Sequence, residues 1–207
     1  SRHRTLAHRL KEAGYRCGIV GLWHLGVPEP ASSKKDLNRV VDADPAKFGV
    51  AAGGKVKRAV AAEYAALQEH VKKVGGFDFA ERLYAAPLDS DTIVLPPAMK
   101  VHNVEWVADG AAHFIQQRSA VPTPFFLYVG WTLPHGPDAD KSLLEGKMGF
   151  TPAGIWRPNE ALVKVTQAAR ADVRKRARAT LSEGGGQETS ASFQGHRNYA
   201  SALHWLD

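Results

Sequence analysis

The chain has 207 residues, 44% of them hydrophobic and 23% charged, which is the composition of a globular protein rather than a disordered one. No apolar run approaches the roughly 20 residues that a membrane span requires, and no signal-peptide core follows the polar residues at the start. The formal charge of +6 is compatible with an anionic substrate or partner, and a single cysteine, Cys17, excludes an internal disulfide framework.

The first predicted unit is a helix followed by a buried strand. Leu6, Leu10 and Ala13 share one helical face, and Gly14 favours the end of the helix. The apolar run 17–21 then predicts a buried strand of an α/β layer. This strand leads directly into the segment Leu22-Trp23-His24-Leu25-Gly26.

A polar segment and a long predicted helix follow. Residues 27–54 are rich in Pro, Ser, Asp and Gly, which predicts a surface loop. The next segment predicts a helix that ends at Gly75-Gly76, because apolar residues recur along one face. Its stripe consists of Val56, Val60, Tyr64, Leu67, Val71 and Val74. Residues 77–100 are mixed in character, and prolines break any long element there.

The second helix–strand unit is the clearer one. Asn103 is a predicted N-cap, and Arg118 favours the end of the helix through the helix dipole. The apolar stripe consists of Val104, Val107, Ala111, Phe114 and Ile115. The run 125–129 predicts a strand that is buried on both faces, and residues 130–137 leave it as a rigid, exposed loop.

The last third of the chain carries weaker signals. We expect a helix between about residues 159 and 181, a Gly/Ser-rich loop from 182, and a further helix that begins near Tyr199. Five cations at positions 170–178 are interpreted as a solvated helix face. Three Asp pairs, at 42/44, 89/91 and 138/140, lie in turn-like regions, where Asp favours local backbone bonding over a metal site.

Two histidines stand out by their position after predicted strands. His24 lies between Gly21 and Gly26, and His135 lies between Pro134 and Pro137. Ligands of open α/β sheets bind beyond the carboxyl ends of the strands, where a histidine can donate to an anion, shuttle a proton or bind a metal. The alternative is a histidine that only bonds the loop backbone.

Other catalytic candidates are weaker. The remaining seven histidines, His8, His70 and His113 among them, are interpreted as surface residues. Cys17 is interpreted as a buried small hydrophobe. The sequence contains neither a Gly-x-Ser-x-Gly elbow nor a P-loop.

Three segments, in the same order, resemble the sulfatases of the alkaline phosphatase-like superfamily. Residues 5–16 with Gly21-Leu22-Trp23-His24-Leu25-Gly26 resemble the family's helix, strand and Gly-Lys-Trp-His-Leu-Gly signature. Pro124-Phe125-Phe126-Leu127-Tyr128-Val129 with Pro134-His135-Gly136-Pro137 is similar to its second histidine segment. Residues 199–207 are similar to the helix that follows.

The resemblance implies a fold and a domain organisation. We expect an α/β, alkaline phosphatase-like mixed sheet flanked by helices, with residues 1–207 forming an incomplete N-terminal catalytic domain. Residues 27–54 and 138–158 would be variable loops that select the substrate, and 182–195 a flexible loop. A secreted, periplasmic or lysosomal-type compartment is compatible with such a protein.

The resemblance also implies a chemistry. In the family, a formylglycine hydrate made from a cysteine attacks the sulfur of a sulfate ester, and a calcium ion neutralises its oxygens. His24 would hydrogen-bond the hydrate and assist release of sulfate, and His135 would bind the sulfate near the leaving oxygen. The partner would be a sulfated small molecule or glycan, with no nucleic acid and no membrane.

The sequence departs from the family pattern at two points. The Cys-x-Pro-Ser-Arg motif is absent, because Gly18 and Ile19 follow Cys17, so the nucleophile and the calcium ligands are expected outside this chain. Leu22 occupies the position of a family lysine. Loss of a preorganised cation typically costs on the order of 10²–10³ in rate, so we hypothesise an impaired enzyme.

Three other functions stay open at this point. The first is hydrolysis of a phosphate or phosphonate ester within the same superfamily. The second is a catalytically impaired homologue that binds sulfated glycans, which Leu22 and the basic run fit. The third is nucleic-acid binding, which only the net charge supports. Open sheet edges also predict marginal stability and aggregation of the isolated chain.

Overall fold

A computed structural model of the chain describes residues 4–28, 53–90, 100–137, 149–156, 167–176 and 179. In chain order the elements are α1 (Leu6–Glu12), β1 (Arg16–Leu22), α2 (Gly53–Gly75), β2 (Phe79–Tyr84), α3 (Val104–Ser119), β3 (Phe125–Gly130), β4 (Gly149–Thr151), β5 (Gly154–Trp156) and α4 (167–176). These described elements belong to the predicted α/β class. Within the same ranges, no helix is long and apolar enough to cross a membrane.

The central feature is a parallel sheet with the strand order β2-β1-β3. β1 is the middle strand, and it pairs with β3 from Arg16↔Phe125 to Gly21↔Gly130. The short strands β4 and β5 pair antiparallel in a separate hairpin. Since the described strands of the larger sheet all run parallel, the mixed sheet expected from the resemblance stays a prediction.

Helices cover both faces of this sheet, as a parallel sheet requires. Side chains alternate along β1, so Cys17 and Ile19 face α1 and α2, whereas Val20 faces α3. The first core cluster consists of Ala7, Cys17, Ile19, Trp23, Leu67, Val71, Phe77, Ala80 and Leu83. The second consists of Val20, Tyr84, Leu88, Trp106 and Val107.

The long helix α2 confirms the prediction from periodicity. Val60, Leu67 and Val71 of the predicted stripe are buried, and the helix ends at Gly75. Tyr64 and Val74 are partly buried against the first core cluster. The 3.6-residue repeat was sufficient here because one face of the helix covers the sheet over several turns.

For α1 the predicted apolar face is confirmed only at Leu10. Leu6 is 62% exposed, whereas Ala7 is buried and Leu10 packs partly against the first core cluster. The thiol of Cys17 lies 3.5 Å from the carbonyl oxygen of Ala7. The small side chain of Ala7 lets α1 approach the middle strand closely, and this contact decides which face is buried.

The structure also corrects the prediction for β3. The predicted strand is present, but Phe125 is 42% and Tyr128 is 48% exposed, so it is not buried on both faces. β3 is the outer strand of the described sheet, and an outer strand has a partner on one side only. An apolar run therefore predicted the strand correctly and its burial wrongly.

Strand β2 lies in the stretch 77–100 that the sequence analysis left without a regular element. Its pairing with β1 contains a bulge, because Val20 is paired with Glu81 and Gly21 with Leu83. The extra residue, Arg82, has a φ of 53°. The bulge places two consecutive charged side chains on the α3 face, which destroys the alternation that identifies a strand.

These two charged side chains find partners on α3. Arg82 donates to Asp109 at 2.7 Å, and Glu81 lies 3.1 Å from Nδ1 of His113. The guanidinium of Arg82 also lies over the ring of Trp106 at 5.8 Å. β2 is therefore held to α3 by polar contacts as well as by packing.

Several predicted segments lie wholly or largely outside the described residues. They are the loops 27–54 and 182–195, the helix near Tyr199 and the Asp pairs 42/44 and 138/140. Within the predicted loop 138–158, residues 149–156 form the β4–β5 hairpin. Within the predicted helix 159–181, the described residues 167–176 are helical.

Candidate functional site

The carboxyl ends of β1 and β3 open on the same edge of the sheet. The two strands are parallel neighbours in continuous register, so their ends lie side by side. His24 follows β1 by two residues and His135 follows β3 by five residues, and both side chains are exposed. The sheet therefore brings together the two loops that the sequence singled out, and their role stays a prediction.

Two glycines allow these strand ends to approach each other closely. Gly21 has a φ of 83°, and a Cβ atom there would overlap the carbonyl group of Gly130. A Cβ atom at Gly130 would in turn collide with the backbone of Leu22. A side chain at either position would push the two strand ends apart, and with them the two histidine loops.

The turn that carries His24 is anchored in the core by its neighbour. Trp23 is buried, its backbone N–H donates to the carbonyl of Tyr84 at 2.9 Å, and its indole Nε1–H donates to the carbonyl of Gly26 at 2.8 Å. The last bond closes the turn around His24. The exposed imidazole therefore projects from a rigid support.

His24 itself has a φ of 49°, in the left-handed region. A residue with a side chain pays roughly 1–2 kcal/mol for that conformation, which glycine adopts without strain. Such strain clusters at functional sites, where the surrounding structure maintains it. The conformation is therefore an observation in favour of a function for His24.

The loop that carries His135 is buried at its base and exposed at its tip. Thr132 and Leu133 are buried, whereas Pro134 and His135 are exposed. The Leu133–Pro134 and Gly136–Pro137 peptide bonds are cis. The exposed imidazole is thus carried by a short segment that leaves the core and returns to it.

A buried histidine, His102, holds this loop at both ends. Its Nδ1 lies 2.8 Å from the hydroxyl of Thr132, and its Nε2 lies 2.8 Å from the carbonyl oxygen of Pro137. The prediction that His102 is a surface residue is wrong, because its side chain is fully buried. No local pattern identifies it, since its partners lie 30 and 35 residues further along the chain.

Asn103 stands at the N-cap position of α3, but its side chain does not cap the helix as predicted. Its amide Nδ2 instead lies within hydrogen-bond distance of the Tyr84 hydroxyl and the Phe150 carbonyl, both at 3.1 Å, and of the Val101 carbonyl at 3.0 Å. Asn103 is therefore a cross-link between β2, α3 and β4. Burial raises the pKa of the Tyr84 phenol, which stays neutral in this network.

The turn after β2 brings a carboxylate to the same edge. Asp89 lies in this turn, as predicted for a turn-favouring Asp. A Cβ atom at Gly136 would collide with its carboxylate group. Because Gly136 adjoins His135, Asp89 lies beside the His135 loop, which the sequence analysis did not foresee.

Leu22, for which the resemblance implies a lysine, lies at the end of β1. Its side chain is partly buried and packs against the second core cluster, which contains Val20 and Trp106. An apolar side chain therefore occupies a position from which the resemblance implies a cation. This edge of the sheet receives no positive charge from position 22.

The described residues do not supply a calcium site or a thiol nucleophile. In the ranges that the structure covers, no three side chains of His, Cys, Asp or Glu lie close enough together to hold a metal ion. Cys17 is buried within β1, and burial, with the nearby Asp78 carboxylate, raises the pKa of its thiol, as expected for an unreactive cysteine.

The basic run contributes less free charge than its sequence indicates. Arg170 forms a two-pronged ion pair with Glu105 at 2.7 and 2.8 Å, with both side chains largely buried. Arg176 pairs with Asp172 at 3.0 Å. The interpretation as a solvated helix face is therefore wrong for Arg170, which joins α4 to the first turn of α3.

In comparisons with known proteins, the sequence matches no family model and no curated protein.

Proposed function

We propose that this chain forms part of the catalytic domain of a sulfatase-type hydrolase with an alkaline phosphatase-like fold. In this proposal His24 and His135 bind the sulfate group of a sulfate ester at the carboxyl edge of the sheet. One observation carries the proposal: the two histidine loops follow neighbouring parallel strands, whose last register pair is Gly21↔Gly130. That is the place where open α/β sheets bind ligands.

The chemistry of the two side chains suits a sulfate ester. Each imidazole can donate a hydrogen bond to a sulfate oxygen. By the resemblance, His24 hydrogen-bonds the nucleophile and assists release of sulfate, whereas His135 contacts the oxygen of the leaving group. The nucleophile comes from outside this sequence, which has no Cys-x-Pro-Ser-Arg motif.

Leu22 supports a second candidate function, a homologue that binds sulfated ligands without hydrolysing them. Leu22 replaces the expected cation with an apolar side chain that packs into the core. Ground-state binding tolerates such a loss better than catalysis, because the transition state depends on preorganised charge. Retained binding of a sulfated polysaccharide by a hydrolytically inactive protein would favour this candidate.

Titration with inorganic sulfate tests the histidine site in the 207-residue chain, at protein concentrations at which the chain is monomeric. The ring signals of all nine histidines are followed by NMR at constant ionic strength, with chloride as the reference anion. We expect the signals of His24 and His135 to shift along one common binding curve. His113, which is exposed on α3, should shift no more with sulfate than with chloride.

Variants of the two histidines test whether each side chain contributes to sulfate binding. His24→Ala and His135→Ala should each weaken sulfate binding about tenfold or more, because a hydrogen bond to a charged group contributes about 1.5–3 kcal/mol. His113→Ala is the matched control and should bind as the wild type does. Equal responses at all histidines, or no response at His24 and His135, would overturn the proposal. Tighter binding of phosphate than of sulfate would favour a phosphate or phosphonate ester instead.

A further inference from the structure

The base of the His135 loop depends on a single buried side chain. His102 is fully buried, and its two ring nitrogens contact Thr132 and Pro137, the residues that flank the exposed segment. Both distances are 2.8 Å, within the ordinary range of hydrogen bonds. One ring therefore joins the point where the chain leaves β3 to the point where the loop returns.

The partners determine which nitrogen of His102 carries the proton. The carbonyl oxygen of Pro137 can only accept, so Nε2 is the donor in that contact. In a neutral imidazole only one ring nitrogen donates, so Nδ1 is then the acceptor. The hydroxyl of Thr132 therefore donates to Nδ1, and the two contacts fix the tautomer of the ring between them.

The neighbours of His102 keep the ring in place. Asn103, the next residue, is bonded to the hydroxyl of Tyr84 and to the carbonyl of Phe150. Since Tyr84 ends β2 and Phe150 belongs to β4, the start of α3 is fixed to two strands. The ring of His102 therefore connects the His135 loop, whose tip is exposed, to the fixed start of α3.

We propose that His102 is a positioning residue that sets the geometry of the His135 loop for anion binding. The inference rests on the proposed function, since it assigns a purpose to the loop that His135 occupies. His102 does not reach the anion itself, because its side chain is fully buried and both nitrogens are engaged. It acts by holding Thr132 and Pro137 at a fixed separation.

Three variants of the 207-residue chain separate positioning from simple packing. His102→Phe keeps a ring of similar size but removes both hydrogen bonds. Thr132→Val removes only the bond to Nδ1 and keeps the shape of the side chain. His102→Gln is the conservative variant, because its amide nitrogen can still donate to the carbonyl of Pro137. His113→Phe is the matched control on the exposed face of α3.

Two readouts are recorded at a temperature at which every variant is folded. The backbone order parameters of His135 and Gly136 should fall from about 0.85 toward about 0.6 in His102→Phe and Thr132→Val. The dissociation constant for inorganic sulfate should rise about tenfold in the same two variants, as expected when a preorganised site must be ordered on binding. His102→Gln should stay within about threefold of the wild type, and His113→Phe should not differ from it.

The inference is overturned if folded His102→Phe and Thr132→Val keep the wild-type order parameters and sulfate affinity. It is also overturned if His102→Gln is as impaired as His102→Phe, since that outcome indicates general packing. Should His102→Phe not fold, Thr132→Val and His102→Gln decide by the same criteria. If the wild type itself does not bind sulfate, the proposed function fails, and the order parameters alone decide whether His102 positions the loop.

Discussion

His24 combines an exposed imidazole with a backbone conformation that disfavours any side chain. The buried indole of Trp23 and its bond to the carbonyl of Gly26 maintain that conformation. If the imidazole serves only as a ligand group, replacement of His24 by glycine relieves the backbone strain and does not harm the fold. The side chain of His24 then favours binding and lowers the stability of the fold, a conflict that is common in functional sites.

His24→Gly is therefore expected to raise the free energy of unfolding by about 1 kcal/mol, because glycine adopts a positive φ without strain. The same variant should lose the sulfate response of the site. The measurements are chemical denaturation and the sulfate titration. His113→Gly, in the middle of α3, should instead lose at least about 1 kcal/mol of stability, because glycine disfavours a helix and the contact with Glu81 is also lost. A large loss of stability in His24→Gly would contradict the interpretation of its conformation.

At position 22 the chain has an apolar contact where the resemblance implies a charged one. Leu22→Lys should strengthen sulfate binding about tenfold, since a charged hydrogen bond contributes about 1.5–3 kcal/mol. It should also lower the free energy of unfolding by about 1 kcal/mol, because part of the contact with the second core cluster is lost. Leu22→Met, which conserves volume and adds no charge, is the control. Unchanged sulfate affinity in Leu22→Lys would refute the expectation that a cation at position 22 contacts the bound anion.

Among the elements, β1 is held at its beginning by the carboxylate of Asp78. The carboxylate of Asp78 accepts a hydrogen bond from the N–H of Cys17 at 3.0 Å, and it lies 2.9 Å from Nζ of Lys11. The backbone N–H of Asp78 donates to the carbonyl of Cys17 at 2.8 Å. Asp78 thus joins α1, β1 and the segment that leads into β2.

The surroundings of Asp78 have opposite effects on its pKa. Burial alone would raise the pKa, but the hydrogen bonds from Cys17 and Lys11 and the charges of Lys11 and Arg16 outweigh burial and lower it below the ordinary value. A lowered pKa in the folded state stabilises the fold above the unfolded pKa of about 3.9. That contribution is lost as the pH falls through the lowered value.

We therefore expect the free energy of unfolding to decrease in acid, with part of the decrease caused by Asp78. Asp78→Asn should cost about 1–3 kcal/mol at neutral pH and should flatten the dependence on pH below about 4, because the amide does not titrate. The measurement is denaturation at a series of pH values. Asp172→Asn, at an exposed pair on α4, is the matched control and should change little. An unaltered acid slope in Asp78→Asn would contradict the assignment.

At the scale of the whole molecule, the described sheet ends at an outer strand with exposed aromatic side chains. Phe125 and Tyr128 of β3 are each more than 40% exposed, and no strand among the described residues pairs with the outer side of β3. Unpaired backbone groups beside exposed aromatic residues are a template for self-association. The sheet geometry therefore agrees with the aggregation that we expect of the isolated chain.

Tyr128→Lys should reduce this self-association several-fold, because a charge on an outer strand opposes pairing with a second copy. The measurement is the concentration dependence of light scattering or of the sedimentation coefficient. Tyr15→Lys, at an exposed tyrosine between α1 and β1, adds the same charge away from the strand and should have little effect. If the wild type is monodisperse and melts in a sharp, reversible transition, the outer strand does not cause self-association.

Local pattern alone determined the α/β class, the long helix α2, the existence of α3, β1 and β3, and the position of His24 and His135 after strands. These features depend on the repeat of apolar residues and on glycines and prolines close by in the sequence, so they can be read from short windows. The same windows predicted a buried Cys17, which the structure confirms.

Only the tertiary structure decided which strands are neighbours, and with that which loops meet. The register Gly21↔Gly130 joins residues more than 100 positions apart, and the local sequence does not encode that pairing. The bulge at Arg82 interrupts the alternation by which β2 could have been predicted. His102 was predicted to be a surface residue because its partners, Thr132 and Pro137, are distant in sequence. A side chain's burial and bonding depend on the surfaces that folding brings against it. The chain therefore revealed the two histidines by local pattern, and the packed sheet revealed the residue that holds one of them.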